Sequence, residues 1–301
     1  MSGSPRFIDD SRYVLTTGAE LYAERVGPDA APAVYYLHGG PGYNSHSFRE
    51  LMGDDLEEWL VVYADERGGG RSYAQAGTSD DLATLAADVV TIMDAFELDR
   101  AALLAHGFGA MIAVQAALAN PERVSGLVLV NPWLSLPLLA RRLLAAAEAA
   151  SGLEAGAGAR VPDTAEPSGA ADAAATADAA FSLQNPKALF DSLQFPTPSS
   201  RLRLEHVDAE ALLGPQEEDD SDAVWGLEVL SSLPELARAG TKVVILAGRL
   251  DATSYPEQVE AALEDLPDAL FSALDAGHYP WLDDPETFTD VLRQSLTHAT
   301  S

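Results

Sequence analysis

Three short stretches of this 301-residue chain carry residue types suited to acid–base and acyl chemistry. Gly248-Arg249-Leu250-Asp251 ends in a carboxylate, and Asp275-Ala276-Gly277-His278 supplies an imidazole 27 residues later. Ala105-His106-Gly107-Phe108-Gly109 has the small-residue pattern of a sharp strand-to-helix turn. A carboxylate that orients a histidine, and a histidine that activates a third group on such a turn, is the arrangement for nucleophilic catalysis. In the nucleophile elbow, G-x-S-x-G, the third residue attacks. Here that residue is Gly107, which has no side chain, and Ala105 replaces the first glycine. The centre of an elbow is a strained backbone position where a residue with a Cβ costs on the order of 1–3 kcal/mol. Glycine reaches positive φ without that cost, so Gly107 is expected to hold a positive φ while lacking the chemistry.

The elements that must position these groups follow from apolar patterning. Residues 13–26 predict a strand pair around Gly18, and 33–37 and 59–64 predict buried strands. A helix is expected from an N-cap at Ser79, with Leu82, Leu85, Val89 and Ile92 as its apolar stripe. The elbow strand, its helix up to Asn120-Pro121 and a strand over 124–130 come next. Strands alternating with helices at this spacing call for a parallel sheet with right-handed crossovers. The alternation breaks after Pro132. Residues 133–150 predict a helix, 151–180 are Ala/Gly/Asp-rich and read as a loosely ordered loop or weak helix, and helical pieces follow over 186–193, 200–213 and 222–233. The acid run Glu217-Glu218-Asp219-Asp220 reads as a solvated loop. Alternation resumes with a strand over 242–247, a helix from Pro256, a strand over 269–274 and a helix from Asp284. The expected division is therefore a core of residues 1–132 and 236–301 with a helical cap of residues 133–235 over the carboxyl ends of the strands.

Ligands of open α/β sheets sit at that edge, so Asp251 and His278, each just past a strand, are expected to face one crevice. Asp251 would accept Nδ1–H of His278 and turn its other nitrogen toward position 107. The N–H of Phe108, with an N–H from the loop His38-Gly39-Gly40-Pro41-Gly42, would form an oxyanion site from Gly39, Gly40 and Phe108. His106 reads as a packed, structural histidine.

Composition narrows the partners. The net charge is −29, and Lys187 and Lys242 are the two lysines among 18 basic residues. That balance argues against nucleic acid and anionic membranes and favours cationic small molecules or peptide amino termini. No cysteine is present, which removes disulfides and thiol catalysis. The first ten residues lack an apolar core for a secretory signal, and no apolar run reaches membrane length, so a cytoplasmic location is expected. No motif calls for a metal or a cofactor.

The chain resembles an α/β-hydrolase of the proline iminopeptidase family. The residues that carry the resemblance are His38-Gly39-Gly40-Pro41-Gly42, Asp65-Glu66-Arg67-Gly68-Gly69-Gly70-Arg71-Ser72 (similar to the family's D-Q-R-G-x-G-x-S), the 105–109 elbow, Gly248-Arg249-Leu250-Asp251 and Gly277-His278. The chain order of elbow, acid and histidine is that of α/β-hydrolases. The resemblance covers roughly residues 30–132 and 240–299, while the cap matches in position alone. It implies an α/β-hydrolase fold, a mostly parallel twisted sheet flanked by helices with an inserted helical cap, and it places Gly107 at the serine, Asp251 at the acid and His278 at the base. The family's acidic cap residues that bind a substrate amino terminus have no clear counterpart; Glu205 and Trp225-Gly226-Leu227-Glu228 are weak candidates.

Several functions fit these residues. The first is a proline iminopeptidase-related protein that acts on or binds a small peptide, amide or ester, with hydrolysis impaired or lost through Gly107. Others are an enzyme using the His278–Asp251 pair on water, and a non-hydrolytic binding or interaction protein on the same scaffold.

Overall fold

The computed structural model describes residues 6–78, 81–152, 169–211 and 223–301. Its elements in chain order are β1 (Phe7–Thr16), β2 (Ala19–Pro28), β3 (Ala33–Leu37), α1 (His46–Met52), β4 (Leu60–Ala64), β5 (Tyr73–Ala74), α2 (Leu82–Ala95), β6 (Ala101–His106), α3 (Gly109–Ala119) and β7 (Val124–Val130). Then come α4 (Leu136–Ala150), α5 (Ala170–Leu183), α6 (Pro186–Gln194), α7 (Pro198–Glu210), α8 (Leu233–Arg238), β8 (Val243–Gly248), α9 (Glu257–Asp265), β9 (Leu270–Leu274), α10 (Pro280–Asp283) and α11 (Pro285–Thr300).

The sheet runs β1-β2-β4-β3-β6-β7-β8-β9, with β5 against β2. Pairing is antiparallel from β1 to β4 and parallel from β4 to β9. This is the mostly parallel sheet that the alternation called for. Alternate side chains of each strand feed opposite faces. Leu103, Ala105, Ile245 and Ala247 join a core with α2, α3 and α9. Leu104, Val128, Val244 and Leu246 join a second core with Phe48 of α1 and Phe288, Leu292 and Leu296 of α11. With helices on both faces, the central strands are buried throughout, which is why they read as continuous apolar runs.

Between β7 and β8 the chain leaves the sheet at residues 134–136 and returns beside that exit. Leu136 donates its N–H to Leu227 O, and Val229 donates to Leu134 O. The helices α4 to α7 lie in this excursion, and the C-terminus of α6 reaches the loops that follow β8 and β9.

The structure refines local expectations in four places. The strand pair extends from Phe7 to Pro28, beyond residues 13–26, because its register continues unbroken to Phe7↔Pro28. The Ser79 assigned as an N-cap lies outside the described residues; the helix begins at Leu82, with Asp81 accepting the N–H of Thr84. Within the 151–180 stretch, read as a loop or weak helix, residues from 170 on take the helical alternative as α5, whose buried face is Ala173, Ala174, Thr176, Ala177 and Ala180. A face built of alanine has little contrast with its surroundings in sequence, yet it packs closely on α4. The described part of the expected 222–233 helix, residues 223–233, does not form one helix. It contains short 3-10 turns at 224–226 and 230–232, separated by the extended residues that pair with 134–136. The remainder of the Ala/Gly stretch, residues 153–168, and the acid run 217–220 lie outside the described residues. Among the described residues, no helix is long and apolar enough to cross a membrane.

Candidate active site

The sharp turn after β6 is built as its residues imply. β6 ends at His106, α3 starts at Gly109, and Gly107 between them has φ +51°. The Gly107 N–H donates to Val130 O at 3.1 Å, and its carbonyl accepts from Trp133 N at 2.9 Å and Ala110 N at 3.2 Å. The turn is thus hydrogen-bonded to β7 and to the chain beyond it.

Asp251 and His278 come together here. His278 Nδ1 donates to Asp251 Oδ2 at 2.8 Å, and the histidine and aspartate are 2% and 0% exposed. The other carboxylate oxygen, Oδ1, accepts the backbone N–H of Thr253 at 2.9 Å and its hydroxyl at 2.5 Å. Thr253 Oγ1 in turn accepts from Trp133 Nε1 at 3.0 Å. An imidazole whose Nδ1–H is held by a carboxylate presents Nε2 as an acceptor. That atom points at the elbow: a Cβ on Gly107 would lie 3.2 Å from Nε2 and 3.4 Å from Cε1.

The predicted oxyanion residues border the same point. Gly39 Cα is 3.6 Å from that Cβ position, Gly40 follows it with φ +115°, and Phe108 caps the N-terminus of α3. The loop is fixed from beneath. His38, buried completely, donates Nδ1–H to Gly39 O at 2.7 Å and accepts the N–H of Glu66 on Nε2 at 2.9 Å. Burial lowers the His38 pKa, which keeps the ring neutral in those roles. Asp65 staples the loops after β3 and β4 together, accepting from Ser45 N and Oγ at 2.8 Å each and from Arg71 Nε at 2.7 Å. Arg67 pairs with Asp88 of α2 at 2.7 Å. The charged residues of the 65–72 motif therefore hold architecture.

His106 is structural, as its position suggested. Its Nε2 lies 2.9 Å from His278 O, and burial, then the neighbouring His278, push its pKa well below the ordinary histidine value. The weak cap candidates each have partners within the protein. Glu205 is paired with Lys187 at 3.1 Å and with Arg201, and Glu228 accepts from the Ser231 hydroxyl at 2.7 Å. Trp225 packs against Phe181, with ring centroids 6.0 Å apart.

Sequence reasoning missed the residues that orient the pair. Trp133 stacks on His278 with ring centroids 5.3 Å apart and planes 26° apart. Asn131, at φ +45°, donates Nδ2–H to Gly277 O and His278 O at 2.9 Å each and accepts Gly248 N–H at 2.7 Å. Gln258 Oε1 accepts from Leu134 N and Ser135 N at 2.6 and 2.8 Å, fixing the chain beside Trp133. The only sequence signal was an asparagine and a tryptophan directly after the strand at 124–130. Among the described residues, no group of three or more His, Asp or Glu gathers as a metal cage.

The family model described as alpha/beta hydrolase fold matches residues 32–285. In structure, the chain is similar to the proline iminopeptidase-related protein of Thermus thermophilus, with 34% identity and a TM-score of 0.80, over 97% of this chain and 99% of that one. The proline iminopeptidase of Mycobacterium smegmatis, at 19% identity and a TM-score of 0.70 over 97% and 99% of the two chains, shares the fold. In sequence, RutD of Variovorax paradoxus (strain S110), a proposed carbamate hydrolase, is 40% identical over 114 residues, which is 38% of this chain and 42% of that protein. The match thus spans about two fifths of that curated relative's length.

Proposed function

For this chain, which belongs to the alpha/beta hydrolase fold family, we propose a proline iminopeptidase-related role: its site binds a small peptide, amide or ester, and its acyl-enzyme route is lost because Gly107 stands at the serine position. The observation that carries this reading is the pairing of His278 with Asp251 at 2.8 Å, with Nε2 aimed at Gly107. A scaffold that had turned to protein interaction alone has no need to keep an oriented imidazole, a completely buried carboxylate and an oxyanion loop in register.

In this reading His278 is the base, Asp251 its orienting acid, and the N–H groups of Phe108 and of the Gly39-Gly40 loop receive the substrate carbonyl oxygen. The helices between β7 and β8 act as the cap that selects the acyl group. The likeness over nearly the whole chain to the proline iminopeptidase-related protein supports the peptide side of the range. The partial match to RutD widens it to carbamates, which offer the same carbonyl carbon. The acidic surface suits a neutral or cationic small molecule or short peptide and disfavours nucleic acid and anionic membranes.

The test restores one side chain. The protein as it stands takes no covalent label from a fluorophosphonate probe, whereas Gly107→Ser labels and turns over either aminoacyl-arylamides or short acyl esters. The substrate set that responds names the acyl class. A folded Gly107→Ser protein that neither labels nor turns over any of these substrates, and whose melting temperature none of them shifts, defeats the reading.

A further inference from the structure

With no side chain at position 107, the edge of His278 faces bare backbone. The three atoms nearest the position of a Gly107 Cβ are Nε2 and Cε1 of His278, at 3.2 and 3.4 Å, and Gly39 Cα at 3.6 Å. On one side of that position is therefore the imidazole edge and on the other the oxyanion loop. His278 is buried, its Nδ1 is committed to Asp251, and among the described residues Nε2 has no hydrogen-bond partner. A water resting against Gly107, farther from its Cα than a bonded Cβ, can donate a hydrogen bond to that acceptor.

We propose that a water hydrogen-bonded to His278 Nε2 beside Gly107 is the nucleophile, and that the protein hydrolyses small carboxylic esters by direct attack of that water, with His278 as general base and no acyl-enzyme. The proposal rests on the acyl-binding reading above and adds the nucleophile to it. The water oxygen bonds to the ester carbonyl carbon while one of its protons passes to Nε2. The carbonyl π pair moves onto oxygen, facing the N–H groups of the loop and of Phe108. The imidazolium so formed is balanced by Asp251 and lies beneath the Trp133 face, an arrangement that favours a cation. When the tetrahedral species collapses, the C–O bond to the alcohol breaks and Nε2–H returns its proton to the departing oxygen. One water and one ester give one carboxylic acid and one alcohol. Esters with good leaving groups suit the route better than amides, because no covalent step divides the barrier.

Glycine is the one residue that leaves Nε2 free to hold this water, since any other would put a Cβ 3.2 Å from that atom. The test uses the unaltered protein, Gly107→Ala and His278→Gln with p-nitrophenyl butyrate. The corresponding anilide serves as a binding probe read by thermal shift. The unaltered protein should exceed His278→Gln by about 10²–10⁴-fold, the usual share of a general base, and should run slower in D2O. Gly107→Ala should fall to the His278→Gln rate while remaining folded and still binding the anilide, and intact mass during turnover should show no acylated protein. Equal rates for the unaltered protein and His278→Gln, a Gly107→Ala rate as fast as the unaltered protein, or an acyl group on His278 would each overturn the water route. If the anilide binds in those cases, the acyl-binding reading survives; if neither ester nor anilide binds, both fall together.

Discussion

Gln194 O, at the C-terminus of α6, accepts the backbone N–H of His278 at 2.8 Å. One residue earlier, Leu193 O accepts the N–H of Ala252, next to Asp251, at 2.9 Å. The end of one inserted helix therefore holds both loops that carry Asp251 and His278. Asp283 reinforces the link, accepting Gly277 N–H at 2.7 Å on one oxygen and the Ser200 hydroxyl of α7 on the other.

A side chain at position 277 would break this contact. Its Cβ would meet Gln194 O at 2.2 Å and Pro196 Cδ at 2.5 Å. Gly277→Ala is expected to cost about 1–3 kcal/mol, as overpacking does, and to abolish the low-field Nδ1 proton signal of His278 in NMR. Ser200→Ala, which removes one hydrogen bond and adds no bulk, should cost about 1 kcal/mol and weaken that signal without unfolding the protein. A signal unchanged in both folded variants would separate the inserted helices from the alignment of the pair.

Thr253 stands between Asp251 Oδ1 and Trp133 Nε1. Thr253→Val keeps the shape but removes both hydrogen bonds, leaving buried polar atoms unpartnered at about 1–3 kcal/mol. Urea unfolding measures this, and the tryptophan fluorescence of Trp133 should change with it. Wild-type stability in the variant would remove Thr253 from the support of the acid.

Glu66 occupies the place where the family pattern has glutamine. Its Oε1 is buried and has no hydrogen-bond partner among the described residues, 3.8 Å from His38 Nδ1. Burial, then Asp65 and Asp88, push its pKa well above the ordinary 4.5. A folded-state pKa above the unfolded one means the unfolded chain releases the proton first, so stability falls as pH rises from about the ordinary value toward the folded one. Glu66→Gln should match the wild type near pH 4 and exceed it at pH 8, by about 1–3 kcal/mol, the penalty of an unsatisfied buried polar group. Parallel stability curves from pH 4 to 8 would contradict this.

Asp65 behaves in the opposite sense. Burial alone would raise its pKa, but the hydrogen bonds and charge of Arg71 outweigh burial and hold it below 3.8. A lowered folded-state pKa contributes stability that is complete above 3.8 and is lost as pH falls through the folded value. Asp65→Ala leaves Arg71 without its main partner and should cost about 3–5 kcal/mol at neutral pH, with a shallower acid limb in the stability profile. A variant that loses less than about 1 kcal/mol would show that the loops after β3 and β4 do not depend on this carboxylate.

Local pattern made much of the site legible. Asp251 and His278 each follow an apolar strand run, and a parallel sheet brings every strand's carboxyl end to one edge, so their meeting followed from strand order. Gly107 was identifiable as a positive-φ turn because small residues separate a strand run from a helix run there. The resemblance of the motifs suggested which residue would play which part.

Tertiary structure alone decided what aligns these groups and what the absent side chain exposes. The contacts from Leu193 and Gln194 come from backbone carbonyls, which every residue type carries, so no letter in the sequence marks them. Thr253, Asn131 and Gln258 act across more than a hundred residues of chain or through a two-residue turn, and singly each reads as an ordinary polar residue. Helix α5 hid behind alanine, whose buried and exposed faces look alike. The 3.2 Å between His278 Nε2 and the empty side-chain position of Gly107 depends on how two strand ends, a histidine loop and an inserted helix settle against one another. Residue types and spacing specify that these parts share an edge; the packing of the whole chain sets the distance.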